Sequence, residues 1–443
     1  MATHELAASI DDMYDLTDVQ SRILRTCLKA PGEGMHRMNL IFEYDGTLDE
    51  ALFERSWAYI IRKYTCFRTS FHAGNLPAPI QVVRNDATFH WDIIDLSELP
   101  ASEREEAFQQ MLDADKNRDF LFEKAPIMRL DLVKEGPEGF KLWWRFPEIL
   151  MDGWNVPLVL RDFLCVYRSL LETGREPEMG FAYPYRDYVA WLRQRDLERE
   201  EAFWNEYLQG VLLPRMPQTN TGGASKRLDL DISHLHEGLL KFAKEHEITL
   251  NALFQCLFFL AMDKHHGSGA FDFVMGVTVA DRPLELDGIQ ERVGLYLNTL
   301  PVRCRCEEQT PLISMAQRFH REMMALFGFS SSSDRQIRSW CDLPEDQALF
   351  NCMFVFENMP VQEEDYDGLG FHLRGWNFEN RPSAPMNLFV WPGHEMNLKL
   401  IFDEAVCNEE NALSLLGSME SMLVALLANG DLTAEQLTKV GAV

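Results

Sequence analysis

The sequence predicts an α/β protein built as two comparable mixed halves. Three observations predict it. Segments with apolar residues at helical spacing alternate with short apolar runs along the whole chain. A stretch with Gly, Pro and charge but no periodicity, Leu171 to Ala182 (LETGREPEMGFA), interrupts that alternation. The length of 443 residues corresponds to about two to three domains and is ample for a buried core. The interruption divides the chain into an N-terminal lobe, 1–175, and a C-terminal lobe, 176–443.

The elements follow in order. Asp49 to Lys63 carries Leu52, Phe53, Trp57, Ile60 and Ile61 on one helical stripe. Leu130 to Val133 and Lys141 to Phe146 (KLWWRF) read as strands, and the second runs into a short polar turn, Met151 to Asn155. In the second half, helices are expected at about 235–265 and 311–327, and strands near 271–279, 297–304, 350–357 and 386–402. A final helix, Glu410 to Leu427, closes the chain. Pro217 to Lys226 and Gly328 to Asp334 (GFSSSSD) read as flexible. No internal repeat is present, and a cleft between the halves is the expected site of a substrate channel.

Composition excludes several classes. With 46% hydrophobic and 25% charged residues the chain is neither disordered nor fibrous. Its formal charge of −27 argues against a nucleic-acid groove, which needs clustered Lys and Arg. The opening MATHELAASIDDMYDL has no basic stretch followed by an apolar run, so no export signal is expected. Leu250 to Met262 (LNALFQCLFFLAM) is too short to cross a bilayer and reads as a buried helix. The nine cysteines include no Cys-x-x-Cys and suit reduced, buried thiols in a cytoplasmic protein. Cys304 and Cys306 share one strand face, which suits two buried thiols or half of a zinc site lacking its other ligands. The close histidine pairs, His234/His236 and His265/His266, lack metal partners, and no metal is expected.

The phosphate loop, dinucleotide fingerprint, nucleophile elbow and zinc helix are all missing, which disfavours nucleotide-driven chemistry. The informative stretch is Arg145 to Asn155, RFPEILMDGWN. An apolar strand there delivers Glu148, and four residues later Asp152, followed by Gly153, which permits a tight turn, and Trp154.

This stretch resembles the HHxxxDGWS motif of the condensation domains of nonribosomal peptide synthetases. The family's two histidines fall on Pro147 and Glu148, and its Asp-Gly-Trp on Asp152, Gly153 and Trp154. Further motifs occur in order. LTDVQ (Leu16 to Gln20) resembles LTxxQ, and KYTCFRTSF (Lys63 to Phe71) resembles RHExLRTxF. YRDYVAWLRQR (Tyr185 to Arg195) resembles YxDYAxWQR, VGLYLNTLPVR (Val293 to Arg303) resembles IGxFVNTLPLR, and ALFNCMFVFEN (Ala348 to Asn358) resembles PLFxxxFxxQN.

The resemblance implies two lobes like chloramphenicol acetyltransferase, set in a V with a tunnel at their junction. It implies no cofactor of its own; donor and acceptor carrier proteins deliver phosphopantetheine arms to an acyltransferase of natural-product biosynthesis, expected to be a monomer. Arg22 and Arg25 are candidate docking residues. The family's second histidine sits beside the reacting amine, and Glu148 replaces it. An unperturbed glutamate, with a pKa of about 4.3, is a weak base near neutrality, but desolvation raises that value. An ionised Glu148 suits holding an ammonium group by charge-assisted hydrogen bonding. Pro147 stiffens the loop and removes a donor. By the same resemblance Asp152 is structural and pairs with Arg282 from the second lobe, while Asn298, Thr299 and the Ser383 to Asn387 segment line the tunnel. Their side chains suit either an oxyanion or local backbone groups. Two functions compete: a condensation-type transferase using Glu148, and a catalytically silent domain that recruits a carrier or tailoring enzyme.

Overall fold

The computed structural model describes residues 9–74, 76–88, 90–211, 225–266, 272–344, 348–357, 366–382 and 384–440. Its elements run β1 (Ile10–Asp15), α1 (Asp18–Lys29), β2 (Arg37–Gly46), α2 (Glu50–Lys63), β3 (Thr69–His72), β4 (Ile80–Arg84), β5 (Asp92–Asp95), α3 (Ala101–Asp115), β6 (Arg129–Gly136), β7 (Gly139–Pro147), α4 (Asn155–Thr173), α5 (Arg186–Leu192) and α6 (Leu197–Tyr207). They continue with β8 (Ser225–Asp231), α7 (His236–Glu245), α8 (Leu250–His266), β9 (Asp272–Ala280), β10 (Leu297–Arg305), α9 (Leu312–Leu326), α10 (Asp334–Trp340), β11 (Cys352–Phe356), β12 (Phe371–Asn380), β13 (Met386–Trp391), β14 (Asn397–Asp403), α11 (Glu409–Asn429) and α12 (Ala434–Lys439).

The chain forms two compact units, the first from Met1–Arg195, Arg282–Tyr296 and Met359–Ser383, the second from Asp196–Asp281, Leu297–Asn358 and Ala384–Val443. In the first, a sheet of order β12-β2-β7-β6-β5 has β7 at its centre, and a smaller sheet runs β1-β4-β3. The central strand GFKLWWRFP is buried almost throughout because both faces are covered. On one face Trp144 meets Trp57 of α2 at 5.1 Å between ring centroids. On the other, Trp143 packs on Phe108 of α3 with Ile41, Leu112 and Val133. Strand β7 therefore leaves the sheet's middle with its end rigidly held, and the sequence that follows it inherits that rigidity.

The composition break near residue 175 falls inside this unit. Helix α4 ends at Thr173 with Gly174 left-handed at φ 70°. The chain beyond is pinned to α2 by Arg62 on Glu176 at 2.8 Å and by the Tyr59 hydroxyl on the Pro177 carbonyl.

In the second unit the sheet order is β10-β9-β11-β13-β14-β8. Helix α8 is apolar on every side because it is enclosed: Leu253, Phe254, Leu257, Phe258 and Leu260 are all buried, against α9, α11 and α12. Among the described residues, α11 is long and apolar enough to cross a membrane. Its Leu415, Met419, Met422 and Leu426 are buried in the core cluster, which marks it as a core helix.

Two sequence expectations differ from the structure. The serine run 328–334 is ordered: Ser330 and Ser331 donate to Asp281 Oδ1 at 2.8 and 2.7 Å, and Ser332 donates to Glu200 Oε2 at 2.7 Å. Ser333 then opens α10 with a capping box to Gln336. Serine reads as flexible by composition, yet here the hydroxyls of Ser330, Ser331 and Ser332 find carboxylate acceptors distant in sequence. Helix α11 does not close the chain, since α12 follows behind its own capping box at Thr433. The stretch 217–224 lies outside the described residues.

The thiols are free, and Cys165 on the outer face of α4 is exposed. Burial pushes Cys66 and Cys352 up to about 12. A maleimide at about pH 8 is therefore expected to modify Cys165 quickly and Cys66, Cys256, Cys304 and Cys352 only after denaturation, as read by peptide mass mapping.

Candidate active site

Strand β7 ends at Pro147, which faces Arg37, the first residue of β2. Proline has no N–H to extend the ladder; the next amide, Glu148 N–H, donates to the His36 carbonyl at 2.8 Å. The same two residues also meet through their side chains, His36 Nδ1 lying 2.8 Å from Glu148 Oε2. The His36 side chain is 5% exposed and that of Glu148 is 25% exposed. Among the described residues nothing hydrogen-bonds Glu148 Oε1, and His36 Nε2 is buried without a partner.

Several contacts hold His36 in place. The turn before it uses left-handed Gly32 (φ 77°) and Gly34 (φ 61°); a Cβ on Gly34 would lie 2.2 Å from the Lys116 carbonyl oxygen. Gly32 N–H donates to Asp119 Oδ2 at 2.7 Å, and Cys27 Sγ donates to the Met35 carbonyl at 3.3 Å. The His36 N–H donates to the Arg381 carbonyl, while the Arg381 side chain pairs with Glu33 at 2.9 Å. Burial, with the Glu148 carboxylate nearby, pushes the Cys27 thiol up to about 12, so this sulfur is a packed donor and not a nucleophile.

Behind the pair lies a buried ionic network. Arg37 is bound to Asp115, and Arg145 reaches Asp115 at 3.3 Å, also binds Asp131 and stacks over Trp143 at 3.6 Å. Burial depresses the Arg37 guanidinium and raises the Asp131 carboxyl, while Asp115 and Arg145 respectively pull them back. This network braces the two strands whose ends carry His36 and Glu148.

Asp152 is the hub of the turn that follows. Its Oδ1 accepts from Arg282 at 3.2 Å and from Asn155 Nδ2 at 2.6 Å, and its Oδ2 accepts from the Tyr296 N–H at 2.8 Å. Burial pushes this carboxyl upward, against the pull of Arg282 and the Tyr296 amide. The Arg282 guanidinium lies over the Tyr296 ring at 4.7 Å. The pair sits within one compact unit, because the segment Arg282–Tyr296 clusters with Met1–Arg195. The Gly153 carbonyl accepts from Val156 N–H to start α4, and Trp154 is half-buried at its cap.

Gly294 completes the hub, its carbonyl accepting from Asp152 N–H at 3.2 Å and from Asn155 Nδ2 at 2.7 Å. A Cβ there would lie 2.4 Å from Tyr185 Cδ2. Gly294→Ala is thus expected to cost about 1–3 kcal/mol by overpacking, measurable by urea unfolding.

The structure brings Pro147 and Glu148 together with His36, and Asp152 together with Arg282 and Asn155. In the second unit Asn298 donates both Nδ2 hydrogens to the Ser330 and Ser332 carbonyls, each at 2.8 Å, and its Oδ1 accepts from Thr299 N–H. Its amide hydrogens thus serve backbone carbonyls of the 330–332 segment. Thr299 is buried in β10 opposite Thr278. Asn387 Nδ2 donates to the Ala384 carbonyl at 2.7 Å, and its buried Oδ1 has no partner. Ser383 lies outside the described residues. Among the described residues no group of three His, Cys, Asp or Glu side chains could hold a metal. Sequence reasoning missed His36; the signal was local, a histidine between a Gly-x-Gly turn and an apolar strand in GEGMHRMNL.

The chain matches the family described as "Condensation domain" over residues 10–442. It is 30% identical to one of the linear gramicidin synthase proteins of Brevibacillus parabrevis over 94% of this chain and 8% of that one. It is 27% identical to surfactin synthase subunit 3 of Bacillus subtilis (strain 168) over 95% of this chain and 33% of that one. The chain therefore spans only a small part of these curated relatives. The first condensation domain of the calcium-dependent antibiotic synthetase, in complex with a substrate analogue, superposes with a TM-score of 0.81 at 17% identity, covering 96% of this chain and 98% of that one. The starter condensation domain of rhizomide synthetase gives 0.79 at 17% identity, covering 98% of each chain. These likenesses show the α/β fold. With the family matched along nearly its whole length, this chain belongs to the condensation domains of nonribosomal peptide synthetases.

Proposed function

We propose that this domain joins carrier-tethered acyl or aminoacyl substrates, with Glu148 serving beside the acceptor amine in place of the family's second motif histidine. The observation that carries the reading is a carboxylate with one oxygen anchored and the other open: Oε2 is 2.8 Å from buried His36, and the side chain is 25% exposed. In the step, the amine nitrogen attacks the thioester carbonyl, the C–N bond forms and the C–S bond breaks. The amine gives its proton to Glu148 Oε1, and the departing pantetheine thiolate takes up a proton from that carboxyl or from solvent. A carboxylate fills this role by accepting a hydrogen bond from the neutral amine, an incoming ammonium having first given one proton to solvent, and then taking the second proton as the nitrogen becomes an amide. Two phosphopantetheine arms on donor and acceptor carrier proteins would bring the substrates.

The test is direct. The chain is mixed with a donor carrier loaded with an acyl or aminoacyl thioester and an acceptor carrier loaded with an aminoacyl thioester, and intact masses of both carriers are followed. Transfer of the donor acyl group onto the acceptor carrier is expected. Binding of both carriers with unchanged masses across a panel of acyl and aminoacyl groups would overturn the catalytic reading and leave recruitment as the function.

A further inference from the structure

We propose that His36 is the positioning residue of this site: an imidazole delivered from the start of β2 donates its Nδ1 hydrogen to Glu148 Oε2 and thereby presents Oε1 to the amine. The inference rests on the reading of Glu148 given above, and it assigns to a residue outside the motif the imidazole that the motif itself lacks.

The two residues are tied twice. Glu148 N–H donates to the His36 carbonyl at 2.8 Å, and the side chains meet at 2.8 Å, so the ring and the carboxylate share one rigid register. A free glutamate side chain has about 1.5–2 kcal/mol of rotamer freedom to lose. An anchored one has surrendered most of it before any substrate arrives.

The backbone of His36 does not ask for a histidine. At φ 54° it is left-handed, a conformation that glycine and asparagine adopt more cheaply. What histidine adds is the ring, and the ring's surroundings choose the tautomer. Nε2 is buried with no hydrogen-bond partner. A hydrogen on Nε2 would be an orphan buried donor, and it would leave the Nδ1 lone pair facing a carboxylate oxygen. A hydrogen on Nδ1 satisfies both groups and leaves only an unpartnered acceptor. The geometry therefore points to neutral His36 with Nδ1–H, and to a carboxylate that is held at one oxygen and unoccupied at the other.

The test uses the whole chain and two independent readouts. The first is the side-chain nitrogen spectrum of 15N-histidine-labelled protein, with His36 identified by its loss in His36→Asn. The wild type is expected to show a protonated Nδ1 and bare Nε2, and Glu148→Ala is expected to lose that signature. The second is steady-state transfer between loaded carriers. His36→Leu keeps bulk and removes the donor, and its kcat is expected to fall about 10²-fold, in line with a displaced reacting group, with KM for the acceptor carrier within about twofold. His36→Asn offers Nδ2–H in place of Nδ1–H and tolerates the left-handed backbone; it is expected to recover most of the rate.

A wild-type spectrum with the hydrogen on Nε2, or equal kcat for the Leu and Asn variants, would overturn the proposal. If His36→Leu fails to fold, the spectrum and the His36→Asn rate still decide. Failure of the underlying reading looks different: Glu148→Gln would then be as active as the wild type while the Nδ1–H signature of the pair persisted.

Discussion

Glu148→Gln is expected to lower the rate of amide formation between loaded carriers by about 10²–10⁴-fold, the range for loss of a positioned general base. The substitution is nearly isosteric, and the amide oxygen of glutamine can still accept a hydrogen from His36 Nδ1, which lies 2.8 Å from Oε2. What disappears is the negative charge and the ability to take up a proton. Stability should change little, because the side chain is a quarter exposed and its one hydrogen bond survives. The measurement is single-turnover transfer by quenched-flow mass analysis, paired with a thermal melt of the same preparation. Equal single-turnover rates with superimposable melts would remove Glu148 from the chemistry. Glu148→Asp is a useful companion, since it keeps the charge but draws the carboxylate back from His36 by one methylene; a rate between those of the wild type and the glutamine variant is expected. Loss of rate in the glutamine variant with retention in the aspartate variant would show that charge matters more than reach.

The parts of this site that the sequence disclosed are those whose contacts are local or whose residue types are rarely interchangeable. The strand Lys141 to Phe146 and its polar turn were readable because an apolar run ends abruptly at Pro147 and Glu148, and a strand enclosed on both faces has to look like that. The buried helix from Leu250 was readable for the same reason, being apolar on every side. The local pattern around His36 marks a histidine entering a strand, but its pairing with Glu148 was not readable, because the partner is 112 positions away and only the β2/β7 register brings them side by side. Strand β12 was missed although it pairs with β2 along its whole length, since the register shift between Leu373 and Gly375 moves its apolar alternation from Phe371 and Leu373 to Trp376 and Phe378. Asn298 shows a third kind of limit. Its side chain suited an oxyanion or a backbone carbonyl equally well until the serine run 330–332, which composition marks as flexible, turned out to supply two ordered acceptors.

Asp152→Ala is expected to cost about 3–5 kcal/mol of folding stability, the largest loss of any single substitution considered, because it removes one member of a buried pair and strands the other. Asp152 and Arg282 have side chains 0% and 5% exposed. With the carboxylate gone, the guanidinium keeps the Ile289 and Arg292 carbonyls on one nitrogen but loses its counter-charge, and the Tyr296 N–H and one hydrogen of Asn155 lose their acceptor. Asp152→Asn retains an oxygen for the Tyr296 amide and should cost less. In the double variant Asp152→Asn with Arg282→Met no charge remains buried, so the loss should be smaller than the sum of the two single losses. Urea unfolding of the four proteins measures this; additive losses would mean that the pair carries no coupling and that Asp152 acts only through backbone contacts. The same set separates scaffold from chemistry. Activity of the Asp152 variants should track their folded fraction and return towards the wild-type rate at low temperature or on stabilisation, whereas a Glu148→Gln protein that is fully folded should stay slow under every condition that preserves the fold. A hub that holds a turn and a carboxylate proposed to meet substrate sit four residues apart in one loop, and this difference in recoverability is what tells them apart.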